Sequence, residues 1–328
     1  MILLKICDIC GNYNLKENNY CTHCGNKLIT EHFCPFCSEP NHDYATYCIK
    51  CGKQMNPLYI DSFDVLFSEF NENLLSNARI GDVEYNKLLS EIFLRAEHFE
   101  IEGNTIKDKI LNFAGIFTQC YPKSRGYERG FIFLGNKIFY DDRLDDSVQI
   151  ATIIHELAHY LLFTIIESLL CEIFHVKTSS TLQSFVWYFL TLPEFKIMNE
   201  YCAHTVEGRF IPYGYQNYGS FNVLVEDTSL DSESIETMMI FGNTFANEII
   251  VYLEKYLDER LREEIKLQYK MDLKTPNFDS IFIETGECLP LVVKNSMLLK
   301  ILHDIFKEAS SFEARKELES IKEGIEVN

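Results

Sequence analysis

Asp146-Ser147-Val148-Gln149-Ile150-Ala151-Thr152-Ile153-Ile154-His155-Glu156-Leu157-Ala158-His159-Tyr160-Leu161-Leu162 is the stretch that decides the fold. Apolar residues fill nearly every turn from Val148 to Ile166, so it reads as one long buried helix, expected from Ser147 to about Phe174. Asp146, with Gln149 three residues on, predicts a capping box at its start. Residues four apart share a helix face, so His155 and His159 present two imidazoles to one point. Two histidines and a glutamate in so apolar a helix need partners, and a metal ion supplies them. His-Glu-x-x-His is the spacing by which zinc hydrolases hold their metal, with the glutamate between as general base. That assigns His155 and His159 to zinc and Glu156 to proton transfer.

Upstream, Phe131-Ile132-Phe133-Leu134 and Lys137-Ile138-Phe139-Tyr140 flank Gly135-Asn136, predicting a hairpin with a two-residue turn. One arm would be an edge strand able to pair with extended substrate. Catalytic zinc takes a third protein ligand and keeps one position open. Downstream, Thr191-Leu192-Pro193-Glu194 has the form of a capping box with Pro in the first turn, opening a helix to about Arg209. On it Glu200 leads as third ligand, with Glu207 and His204 as alternatives one or two turns along the same face. His204 also suits an orienting or oxyanion-stabilising role. Tyr215, with Tyr213 and Tyr218 in the following loop, is a further candidate for the oxyanion.

Gly130 before a strand, Phe139-Tyr140-Asp141 at a strand end, Ile153 to His159, Glu200-Tyr201-Cys202-Ala203 and Phe210-Ile211-Pro212 together make a pattern. Through it residues 106–212 resemble an ImmA/IrrE-type metallopeptidase domain. The resemblance implies a small gluzincin-like fold, zinc on His155, His159 and Glu200, and Glu156 as catalytic residue. It also implies limited proteolysis of a regulatory protein, such as a transcriptional regulator. Forty residues separate His159 from Glu200, more than that family usually has.

The other chemical signal is N-terminal. Eight cysteines form four Cys-x-x-Cys pairs, Cys7/Cys10, Cys21/Cys24, Cys34/Cys37 and Cys48/Cys51, with ten residues between the first two pairs and ten between the last two. Each Cys-x-x-Cys turn aims two thiolates at one point, and two turns complete a closed tetrahedral shell. The pattern resembles a double zinc ribbon, with Cys7, Cys10, Cys21 and Cys24 on one structural zinc and Cys34, Cys37, Cys48 and Cys51 on another. So short a module depends on metal for much of its stability. Cys120, Cys171, Cys202 and Cys288 fall outside this scheme and read as apolar packing residues.

The chain is therefore expected to be α+β and mostly helical. A double zinc ribbon covers 1–57, a linker with one short helix 58–81, a zincin-like metallopeptidase domain 82–220 and a helical region 221–328. Long amphipathic helices are expected over 233–270 and 290–323. The net charge is −19. Residues 1–57 are balanced, so the acidity lies beyond them and argues against nucleic acid and anionic membranes as partners. No secretory signal or set of apolar spans is read, which points to a cytoplasmic location. Two function classes follow: a zinc peptidase acting on a protein or peptide, or a zinc-binding adaptor or sensor that works through its ribbons and acidic helices without turnover.

Overall fold

The structure, a computed structural model, describes residues 4–6, 13–15, 20–25, 31–34, 39–42, 45, 47–50, 55, 57–69, 75, 77–97, 99–124, 128–278 and 286–327. They belong to two units, Met1–Tyr59 and Ile60–Asn328. In the first, β1 (Leu4–Ile6) pairs antiparallel with β2 (Tyr13–Leu15), and β3 (Glu31–Phe33) with β4 (Pro40–His42). Each hairpin carries a buried asparagine on its second strand, Asn14 or Asn41.

The second unit is built around α4 (Asp146–Phe174), preceded by α1 (Phe63–Glu69), α2 (Asp82–Phe93), α3 (Ile106–Phe117) and the strands β5 (Gln119–Pro122), β6 (Gly130–Phe133) and β7 (Lys137–Tyr140). After α4 come α5 (Ser180–Thr191), α6 (Pro193–Phe210), α7 (Gly219–Asp227), α8 (Ser232–Leu253), α9 (Glu259–Met271), α10 (Leu291–Ala309) and α11 (Phe312–Val327). The three strands form a sheet ordered β5-β7-β6, with β5 parallel and β6 antiparallel to β7, so β6 lies at an edge. Apolar residues on every side of α4 bury it between the sheet, α3, α5 and α6. By length and composition α4 could cross a membrane, but 72% of its most apolar stretch is buried within the protein, as in a core helix.

Several local expectations are corrected. Asp145, not Asp146, occupies the N-cap of α4, and it makes no side-chain cap. Asp146 instead pairs with Lys107, and Gln149 donates to the carbonyls of Asp142 and Leu144. The N–H of Ser147 is satisfied from far away, by the Asp272 carboxylate at 2.8 Å. The Thr191 box does not form either. Thr191 ends α5, and its hydroxyl donates to the Trp187 and Tyr188 carbonyls, while Pro193 opens α6 at its first position as expected. The hairpin turn is three residues long, because Phe133 pairs with Lys137, and Leu134 and Gly135 take the left-handed backbone. The long helices expected over 233–270 and 290–323 are each two, broken after Leu253 and Ala309.

The segment 58–81 is not free chain. Ile60, Phe63, Leu66 and Leu75 are buried in the core, because three-residue spacing on α1 turns one apolar face inward. The region 221–328 shares that same core instead of standing apart. Gly242 on α8 shows how closely it is held: an added Cβ would lie 2.5 Å from the Met198 carbonyl oxygen and 3.2 Å from the Cys202 nitrogen on α6. Gly242→Ala is therefore expected to push the two helices apart and cost about 1–3 kcal/mol, measurable by chemical denaturation. An unchanged midpoint would mean the helices part freely.

Candidate metal centre

α4 and α6 cross so that His155 and His159 face Glu200. The Nε2 atoms of His155 and His159 are 3.1 Å apart, and a Glu200 carboxylate oxygen lies 3.6 Å from the first and 3.8 Å from the second. Ligands about 2.0–2.1 Å from a tetrahedral zinc sit about 3.3–3.4 Å from one another. Three donor atoms spaced this way, two of them imidazole nitrogens, fit that ion.

The alternatives Glu207 and His204 lie on the other side of the His155 ring. A Glu207 oxygen is 3.1 Å from His155 Nδ1 and 3.5 Å from His204 Nδ1. The two nitrogens of one imidazole point apart, so Glu207 meets His155 where His159 cannot. Such a carboxylate fixes the tautomer that leaves Nε2 free for a metal. His159 has its own partner, the side-chain oxygen of Asn199 at 2.7 Å from Nδ1. His204 Nε2 reaches the Ser220 hydroxyl at 3.1 Å, which completes a chain from Ser220 through His204 and Glu207 to His155. Asn199 and Ser220 were outside the sequence reading. The only signal for Asn199 is its place beside Glu200, and nothing local marks Ser220.

Glu156 lies beside these residues, and the nearby backbone of Ile132 on β6 favours its charged form. Burial, reinforced by Glu200 and Glu207, raises its pKa to about 7. Burial also holds His159 down, to about 4, in the neutral form a metal requires. Burial opposes the charge on His155 too, but Glu200 and Glu207 outweigh it and raise its pKa well above the usual range. Burial likewise opposes the Glu207 charge, yet His155 and His204 pull its pKa down to about 2.

Strand β6 can approach because Gly130 has no side chain. A Cβ there would sit 2.3 Å from Thr152 Cγ2 and 2.8 Å from the Phe139 carbonyl oxygen. His155, Glu156, His159 and Glu200 all line one cavity of about 670 Å³, which also takes in His204. Tyr215 does not line it: its hydroxyl donates to the Lys274 carbonyl, and its ring packs on Tyr269. Tyr213 packs on Phe278, and of the three tyrosines it is Tyr218 whose ring lies tilted beside His204, with ring centres 5.2 Å apart.

In the N-terminal unit Cys21, Cys34 and Cys48 are buried and Cys24 is exposed; Cys7, Cys10, Cys37 and Cys51 lie outside the described residues. The two halves repeat one arrangement. Asn14 donates to Cys21 Sγ at 3.5 Å and takes the Thr22 N–H, while Asn41 donates to Cys48 Sγ at 3.6 Å and takes the Ile49 N–H. The N–H groups of His23 and Lys50 add a second donor to each sulfur. Paired donors of this kind stabilise thiolate over thiol, the form that binds metal.

Residues 7–52 match the double zinc ribbon family. The N-terminal segment is therefore similar to a double zinc ribbon. It implies structural zinc on its cysteines. No curated protein and no solved structure matches the chain.

Proposed function

We propose that residues 60–328 form a zinc-dependent hydrolase in which His155, His159 and Glu200 hold the metal and Glu156 is the general base. One observation carries this reading: three donor atoms 3.1–3.8 Å apart, with a second carboxylate, Glu156, lining the same cavity. Zinc supplies Lewis-acid polarisation of a carbonyl and lowers the pKa of a water molecule. Glu156 takes the proton from the attacking water and returns it to the leaving group. Glu207 and Asn199 orient the two imidazoles, and His204 acts through Glu207 as a positioning residue. Tyr215, with its hydroxyl engaged elsewhere, has no role in this scheme.

Peptide is the substrate class that suits the cleft. Edge strand β6 has Gly130 and Ile132 facing away from β7, since Phe131 and Phe133 make the ladder bonds, so extended chain can add beside them. The resemblance to ImmA/IrrE-type metallopeptidases supports a peptidase that trims a regulatory protein. The double zinc ribbon then serves as a docking module for that protein or another partner.

A metal count tests the reading. Wild-type protein is expected to hold about three zinc ions per chain and His155→Ala about two; two in both would confine metal to the ribbons. Glu207→Ala is expected to keep the fold but weaken metal affinity by about 10–100-fold, read by competition with a chelating dye. Unaltered affinity would remove Glu207 from the support of His155.

A further inference from the structure

The floor of the cleft is a single stripe of α4: Ala151, His155, His159 and Phe163 follow one another at four-residue intervals, and all line the cavity. At about 1.5 Å rise per residue that stripe is about 18 Å long, room for about five residues of extended chain. The metal centre occupies its middle. Beyond His159 the lining changes character.

Phe163 lies one turn past His159, and its ring is faced by Trp187 of α5, with centroids 6.4 Å apart. Leu190, on the next turn of α5, also lines the cavity. Gly135, at φ +75°, closes the hairpin turn against the Phe163 ring and itself lines the cavity; a Cβ there would meet three ring carbons at 3.2 Å. Phe163 and Leu190 are buried in the protein, whereas Trp187 is half-buried, with part of its surface facing the cavity. An indole has few rotatable bonds, so it can wall a pocket at low entropic cost.

We propose that Phe163, Trp187 and Leu190 form a side-chain subsite that selects a large aliphatic or aromatic residue of the substrate close to the scissile bond. The proposal rests on the hydrolase reading above and adds its specificity. Helix α5, which carries two of the three residues, falls in the long stretch between His159 and Glu200. The subsite therefore belongs to the part of the chain that lengthens the ligand spacing.

Trp187 is the single tryptophan of the chain, so its fluorescence reports on this pocket alone. The full-length, zinc-loaded protein would be titrated with two hydroxamates that differ only in an isobutyl branch. The branched probe is expected to bind about tenfold tighter or better and to shift Trp187 emission to the blue. Thr191, exposed on the rim, offers a variant that spares the core. Thr191→Phe should abolish the preference and leave the affinity of the unbranched probe unchanged, and Trp187→Ala, read by calorimetry, should lower the affinity of the branched probe at least tenfold. Equal affinities with unmoved emission overturn the subsite and leave the metal reading standing. Binding of neither probe, or binding unaffected by His155→Ala, overturns the metal reading and the subsite with it.

Discussion

Glu156→Gln is expected to retain its zinc and lose about a hundred- to ten-thousandfold in hydrolytic turnover. The change is nearly isosteric, so the side chain still fits beside the Ile132 backbone of β6. Strand β6 should therefore stay seated on α4. What disappears is a basic oxygen beside the proposed metal ligands His155, His159 and Glu200. Because Glu156 is not one of the three donors, metal content should not fall. The measurement is a metal assay beside cleavage of a quenched peptide library. Undiminished cleavage takes Glu156 out of the mechanism, and a loss of metal in parallel would make its role structural.

Lys294→Ala is expected to have the largest effect on stability. Lys294 on α10 is fully buried, pairs with the Glu248 carboxylate of α8 at 2.9 and 3.0 Å, and lies 3.6 Å over the Tyr85 ring of α2. The Tyr85 hydroxyl donates to the same carboxylate at 2.8 Å. Removing the ammonium leaves Glu248 with one neutral partner in a largely apolar setting, a loss of about 3–5 kcal/mol. Replacing both ions, as Lys294→Met with Glu248→Gln, should recover most of it, since no charge is left unpaired and the amide oxygen still accepts from the Tyr85 hydroxyl. Chemical denaturation of the two variants decides this; a single variant as stable as wild type would mean that Glu248 reaches water.

The same lysine has a signature in pH. Burial pushes its pKa down to about 8, with Glu248 opposing, against 10.5 for an unperturbed lysine. Between those values the unfolded chain binds more protons than the folded one, so this group makes stability rise with pH across the window. Below about 8 lysine is charged in both states and contributes no slope. The double variant should lack that rise.

How much of this was legible in the chain depends on how local the information is. The His155/Glu156/His159 trio is set by helical periodicity alone, and Glu200 was within reach because its helix opens at Pro193. The ribbon segment was legible because the spacing of its cysteines is itself the signal. Helix α5 was missed. Its Leu-Gln-Ser-Phe-Val-Trp-Tyr-Phe-Leu run is apolar and aromatic without a clear period, although the Ser179 side chain caps it through the Leu182 N–H. The capping boxes misled because their groups are engaged elsewhere: Asp146 pairs with the distant Lys107, while the Thr191 hydroxyl bonds the Trp187 and Tyr188 carbonyls of its own helix.

The sequence by itself determined two things: four Cys-x-x-Cys pairs at matched spacing, and one buried helix carrying two histidines and a glutamate. Both are short-range, because they need only the geometry of a turn or of a helix. Tertiary structure alone decided the rest. It turned Glu200 toward the Nε2 side of His155 and Glu207 toward Nδ1. It brought Asp272 to the start of α4, 125 residues away in sequence, and set Trp187 across from Phe163. These outcomes depend on how helices cross, which is fixed by packing across the whole core and not by any run of neighbouring residues.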